Sequence, residues 1–394
     1  MQNEIPYVLL SAVYGVINTY LPIVLAVRQF SKGEIGMLLA IIEITGLTIP
    51  FFITAKLDKN GRYGLTMILL GLSMGIAIGA LLWFRSFLVT ALCLAVFAIG
   101  SKGLVPILDS FTAKILRNDP KKYGAIRAFG SAGFVCMTIF LHFFPPVQGN
   151  DISRFIAMAT ALACLFAVSV LWLPSVFNTS LLKAARPHPA ENTADEKTLL
   201  LSKPFVTLLL LVFSAWLGMV PSQRFFSLYV EEYLHIHATA ALWALAASAE
   251  IPLMIFSGSL IRRFGTEKLL ALCLISMSIR NISYIVLPGI SGAIFGQLLH
   301  SLCFGLFFPL SVITCTAHSK GKTATAMMML TAANSLANSI GSVIGGYIID
   351  YFGYPALFLS FSLCPLAGLC IYTYQNKRCC ISSGNTQEEK KHHE

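Results

Sequence analysis

A chain of 394 residues would ordinarily fold into two or three water-soluble domains. This one is 56% hydrophobic and only 12% charged, with a mean hydropathy of +0.74, too few charges to coat a water-facing surface. A soluble fold is excluded, and the net charge of +10 has to be located along the chain before a nucleic-acid partner is inferred from it.

Apolar runs long enough to cross the roughly 30 Å hydrocarbon layer occupy 5–27, 35–55, 64–84, 87–108, 125–146 and 154–176. A polar stretch over 178–203, with Arg186, Pro187, Glu191 and Asp195, interrupts them. The runs resume at 204–228, 239–260, 268–288, 291–316, 323–349 and 355–375. The pattern predicts an all-α membrane protein of twelve transmembrane helices in two pseudo-symmetric six-helix bundles. The amino-terminal bundle covers 1–177, a cytoplasmic linker 178–203, the carboxy-terminal bundle 204–376, and a polar, unstructured cytoplasmic tail 377–394. The first span has no basic residue before it and no small-residue cleavage site, so it is expected to remain in the mature protein.

Cations set the orientation, because loops rich in Lys and Arg stay on the cytoplasmic side. With both termini inside, the basic clusters at Lys56–Arg62, Lys114–Lys122, Lys183–Lys203, Arg262–Lys268 and Lys320–Lys322 all fall there, and only Arg28, Lys32, Arg85 and Arg154 fall outside. The basic balance is therefore topology, and no nucleic-acid partner is implied; the partners expected are the lipid bilayer, a small-molecule solute and protons. A short polar tail and no long outer domain suit a bacterial inner membrane. The cysteines lie mostly inside spans and read as free thiols; Cys379 and Cys380 are juxtamembrane.

The halves echo each other. Asp58-Lys59-Asn60-Gly61-Arg62 after span two is matched by Arg262-Arg263-Phe264-Gly265 after span eight, with a glycine for the tight turn in each. Gly130-Ser131-Ala132-Gly133 in span five is matched by Gly341 to Gly346 in span eleven, small residues that let helix backbones approach.

Ionisable residues inside spans carry the functional signal, since a charge at the bilayer centre costs about 2.5–3.5 kcal/mol and needs a partner, an interface or a wet cavity. Glu250, Arg280 and His300 lie on spans eight, nine and ten at a common depth of roughly 12–17 Å. They read either as a proton-holding, solute-orienting group or as a structural ion pair beside a satisfied histidine. Asp109 and Arg127 at the inner ends of spans four and five suit hydroxyl recognition, and equally a plain hairpin salt bridge. Glu43 and Lys102 either pair with each other or leave Glu43 as a proton site. Arg224 either adds a cation to the cavity, leaving a surplus of one positive charge in the spans, or snorkels to the interface. Asn18 in span one is a candidate cavity residue. Glu231, Glu232, His235 and His237 read as a solvated outer loop rather than a metal site. No P-loop or metalloprotease helix supports an enzyme or an ATP-driven pump, and no cofactor or metal is expected.

The Asp58–Arg62 segment resembles the loop signature of the major facilitator superfamily, with Thr54 where its opening glycine normally stands. Asp109-Ser110-Phe111, Gly124 to Ser131, Ala249-Glu250, Ser278-Ile279-Arg280 and Leu299-His300 resemble the lactose permease and phenylpropionate permease branch. That resemblance implies sugar contacts at Asp109, Arg127 and Glu250, ring stacking at Phe134, a proton-coupling network through Glu250, Arg280 and His300, gating by Asp58, Lys59, Gly61 and Arg62, and a monomer. It also exposes a departure: Cys303 stands where the family's proton-carrying glutamate belongs, and a buried thiol is a poor proton exchanger at neutral pH. A coupled carrier would then rely on Glu250, Glu43 or Asp109. Sugar or oligosaccharide symport is the first expectation, and transport of an organic or aromatic acid or a nucleoside, or uncoupled facilitation, the second. A receptor or scaffold that has lost transport is the alternative of another class.

Overall fold

The computed structural model describes residues 3–116, 120–174, 176–179, 202–319 and 323–391, leaving out some helical side chains, those of Asp58, Lys59 and the residues after Gln375 among them. Nearly all of it is helical. The helices are α1 (Ile5–Val27), α2 (Lys32–Asn60), α3 (Tyr63–Ala80), α4 (Phe87–Ile115), α5 (Pro120–Phe143) and α6 (Ser153–Ser169), then α7 (Lys203–Tyr233), α8 (Thr239–Phe264), α9 (Thr266–Val286) and α10 (Gly289–Ala317). A last helical stretch, Thr323–Lys391, breaks at Gly353 (φ 79°, ψ 178°) into α11 (323–352) and α12 (354–391). Each predicted span overlaps one of these helical stretches, the last two sharing the stretch that breaks at Gly353. Among the described residues, 10 of these helical stretches are apolar and long enough to cross a membrane, the bent last one counted once and the more polar α2 not among them.

Local sequence explains the boundaries. At the start of α2 the Ser31 hydroxyl accepts from the Glu34 amide at 3.2 Å while the Glu34 carboxylate accepts from the Ser31 amide at 2.8 Å, a reciprocal cap. Its far end closes on Gly61 at φ 66°, and α8 closes on Gly265 at φ 81°, so the turn glycines of the repeated motif both occupy the left-handed region. Two expectations need correction here. Asp58, Lys59 and Asn60 complete the last turn of α2, so only Gly61 and Arg62 link it to α3. The tail is not irregular, since α12 continues as backbone helix to Lys391 through Gln387, Glu388, Glu389 and Lys390, good helix formers extending an established helix. The expected linker lies outside the described residues over 180–201, and Lys203 already belongs to α7.

The packing repeats itself. In the first half α1 packs on α5 and α6, α2 on α4, and α3 on α4 and α6. In the second, α7 and α9 pack on α11–α12, and α8 and α9 on α10. Gly130 and Gly133 of α5 face Tyr7, Val8 and Ser11 of α1, just as Gly341 and Gly345 of α11 face Val220 and Phe225 of α7. The halves meet through α2 against α11 and α5 against α8, pairs exchanged by the same repeat. Exposed aromatics ring both ends, with Trp83, Phe143, Tyr351 and Phe352 at one and Trp172, Phe177, Phe264 and Tyr374 at the other, as at the two interfaces of a bilayer. The chain is an integral membrane protein.

Candidate functional site

Three clusters of charge lie within the helices. In the second half, His300 Nε2 is 2.6 Å from the Glu250 carboxylate, and its Nδ1 is 2.7 Å from an Arg280 guanidinium nitrogen. A guanidinium only donates, so Nδ1 must accept and Nε2 must carry the proton given to Glu250. Arg280, 1% exposed, also donates to Tyr284 at 3.0 Å and to Gln297 at 2.7 Å, leaving each of its three nitrogens engaged. The His300 ring stacks on Phe304, 5.5 Å between centroids, and meets Trp243 edge-on. His300 is therefore held in one tautomer and one orientation. A further proton on Nδ1 would face Arg280, whereas Glu250 can take one without breaking that contact. Cys303 sits in a widened π turn, Ser301–Leu306, and is buried in the core of the second half.

Glu43 stands apart from that network. Its carboxylate, 3% exposed, is bonded by Lys102 of α4 at 2.7 Å and by Arg224 of α7, so one acid holds a cation from each half. The pairing of Glu43 with Lys102 is as one reading of the sequence had it; Arg224 neither snorkels nor stands alone. It lies in another π turn, Pro221–Phe225, started by a proline that has no amide hydrogen to give the helix.

The third cluster joins Asp109 to Arg127 at 3.3 Å, with Tyr7 donating to Asp109 at 2.9 Å and Arg127 donating to the Tyr123 hydroxyl at 3.1 Å. Arg127 is 54% exposed, so water screens the pair and the attraction itself adds little stability. Phe134, two turns on, is half-buried, with its carbonyl accepting from Thr138 at 3.0 Å. Asn18 is exposed between buried neighbours on both sides, facing accessible space rather than packed protein.

One end of the interface between the halves is shut. Asp350 of α11 accepts from the Lys32 and Gly33 amides at 2.9 and 2.7 Å, capping the first turn of α2 from the other half. Lys32 Nζ reaches Glu232 at 2.5 Å, and Tyr354 donates to the same carboxylate at 2.8 Å. Glu231 is bonded by Thr239 and His237. The acids read from sequence as a solvated loop are thus committed to protein contacts, because they lie in the last turn of α7, within reach of Lys32 at the start of α2 and Tyr354 at the start of α12. At the opposite end, residues 251–264 of α8 are exposed on nearly every face and most of 125–132 of α5 is exposed, so the space between halves opens there. The members of this latch are far apart in sequence, so reading along the chain does not pair them; the signal available is Ser31-x-x-Glu34 with basic Lys32 at a helix start.

Replacing Asp350 by Ala should weaken this closure by about 1.5–3 kcal/mol, the worth of hydrogen bonds to a charged group. Spin labels at Arg85 and Tyr351, in a background without reactive cysteines, should then report a larger separated population. An unchanged distance distribution would remove Asp350 from the latch.

Comparison with known proteins is consistent with this architecture. The MFS_1 like family model matches residues 2–360. The chain is 24% identical over 356 residues to the transporter YwbF of Bacillus subtilis (strain 168), covering 89% of this chain and 86% of that one. It is also 24% identical over 357 residues to the maltose permease of Geobacillus stearothermophilus, covering 89% and 87%. In fold it is similar to a mutant of the nucleoside transporter NupG, with TM-score 0.83 and 14% identity over 95% of this chain and 98% of that one. A mutant of the peptide transporter POT superposes with TM-score 0.71 and 11% identity over 95% and 94%. With its paired helical halves, its latched end and a family match over nearly the whole chain, the protein belongs to the MFS_1 like family and is a membrane transporter of the major facilitator type.

Proposed function

We propose that the protein is a secondary active transporter that couples proton entry to the uptake of a small hydroxylated solute, of the sugar or oligosaccharide class, by alternating access. The halves 1–177 and 204–376 rock about a solute site between them. The basic loops are cytoplasmic in a bacterial inner membrane, which makes the latched end the outer one and the described state open to the cytoplasm. The Glu250–His300–Arg280 arrangement carries this reading: His300 is pinned between a donor and an acceptor, so the proton that drives transport resides on Glu250. A charged Glu250 resists closure of the cavity around it, and protonation removes that resistance. Asp109, Arg127, Phe134 and Asn18 offer the solute hydrogen bonds and a ring face at the open side, and Gly61 and Arg62 form the hinge between α2 and α3. The maltose permease relative supports the sugar class.

The test is purified protein in liposomes enclosing a pH dye, challenged with separate pools of sugars, aromatic acids and nucleosides. Dye acidification with the sugar pool, sugar acids included, is expected. Equilibration of labelled solute without proton movement would make the protein a facilitator and remove coupling from Glu250.

A further inference from the structure

We propose that the solute carries a single carboxylate, and that it docks between Lys102 and Arg224, making the preferred class hydroxylated monocarboxylates such as sugar acids. This rests on the transporter reading above and narrows its substrate.

Asp109 with Arg127, and Glu250 with Arg280, are each neutral as sets once His300 is the neutral tautomer. The Glu43 cluster is not neutral, because Glu43 alone answers both Lys102 and Arg224 among the described residues. One positive charge is left over in that cluster, where uncompensated charge is costly.

Hydrogen bonding locates the deficit. Both cations bond the same atom, Glu43 Oε1. Arg224 uses one nitrogen, and its Nε is buried with no partner. Arg280, the other deeply placed arginine, has all three nitrogens engaged. A guanidinium presents five donors in a planar fork suited to a carboxylate, so Arg224 is under-used where Arg280 is not. The Lys102 side chain is 38% exposed against 3% for Glu43, so Lys102 is the more reachable member of the pair. Its stem lies against Gly46, where any Cβ would collide with Lys102 Cγ, so the absence of a side chain at 46 leaves Lys102 its place. The leftover charge is a single unit, which a carboxylate cancels; a phosphate monoester, carrying about −1.5 to −2 at neutral pH, would overshoot.

A neutral sugar entering with one proton moves one positive charge, whereas a monocarboxylate entering with one proton on Glu250 moves none. Uptake of the preferred solute should respond to a pH gradient and not to membrane voltage.

The test uses the full chain, first in detergent without any gradient, so that binding is read independently of coupling. Thermal stabilisation is titrated with glucuronate and gluconate, with glucose as the neutral counterpart and sodium chloride as an ion control. The expected result is stabilisation by the acids at concentrations where glucose and chloride do nothing. Lys102→Gln and Arg224→Gln should each raise the half-saturating concentration roughly tenfold or more, with Arg224→Lys partly restoring it. Glu43→Gln, which frees both cations, should bind the acids more tightly and draw its stability from them, a gain that a merely unfolded variant would not give. Equal stabilisation by glucose or chloride, no stabilisation by either acid, or unchanged acid affinity in Lys102→Gln and Arg224→Gln would each overturn the site. In liposomes, proton entry with glucose and none with the acids would overturn the carboxylate while leaving the symporter reading intact. Acid binding that is lost in Arg224→Gln, without proton entry, would keep the carboxylate site and overturn the coupling.

Discussion

Glu250→Gln is expected to abolish accumulation of solute against its gradient while sparing exchange of solute across the membrane. The amide keeps the volume of the carboxylate and can still accept from His300 Nε2, the 2.6 Å contact that holds the ring. It cannot release a proton, so under the proposed coupling the carrier behaves as though permanently loaded. With a pH difference of one unit across liposomes, the parent protein should sustain about a tenfold solute ratio with one proton per solute, and the variant a ratio of about one. Counterflow of labelled against unlabelled solute should persist, which separates lost coupling from lost folding. Retained accumulation would transfer the proton to another carboxylate, with Asp109 the next to substitute because it is half-buried and bonded by Tyr7. His300→Asn tests the same network differently. The carboxamide oxygen can still accept from Arg280 in place of Nδ1 but nothing reaches Glu250 as Nε2 does, so coupling should suffer more than binding.

The helices were legible because twenty-residue apolar runs admit few other structures in a membrane, and the repeat because glycine is needed at positive φ at both Gly61 and Gly265. Depth along a helix was also legible: Glu250, Arg280 and His300 read as level from residue counts, and they do meet. What a linear sequence does not give is azimuth and partner choice between helices. Read along the chain, Arg224 is surplus or snorkelling, because its partner Glu43 lies on α2 of the other half and only the folded arrangement brings the two side chains together. Glu232 looked like a loop acid for the same reason, its partner Lys32 being two hundred residues distant. The extent of α2 through Asn60 was missed because charged residues mark a membrane exit and not the end of a helix.

The second large effect is expected at Gly36 and Gly346, where α2 and α11 touch backbone to backbone. A Cβ at 36 would collide with the Ser342 carbonyl oxygen and lie 3.4 Å from Gly346 Cα; a Cβ at 346 would collide with the Lys32 carbonyl oxygen and lie 3.0 Å from Gly33 Cα. Backbone atoms in two helices cannot yield as a flexible side chain does, so the cost of overpacking falls on the closed state alone and is about 1–3 kcal/mol or more. The separated state does not contain this contact and carries no such cost. Gly36→Leu and Gly346→Leu should therefore shift the protein toward an open latched end by roughly tenfold to a hundredfold or more, and slow turnover accordingly. Spin labels at Arg85 and Tyr351 should move apart in both variants, with the protein still thermally stable. Gly258→Ala, on α8, serves as a control: its Cβ would meet nothing nearer than the end of Arg262 at 3.7 Å, and it should transport normally. Normal turnover and unchanged distances in Gly346→Leu would mean that the close approach of α2 and α11 is not part of the cycle. Both changes together in Gly346→Leu, with neither in Gly258→Ala, would tie the rocking of the halves to this one contact.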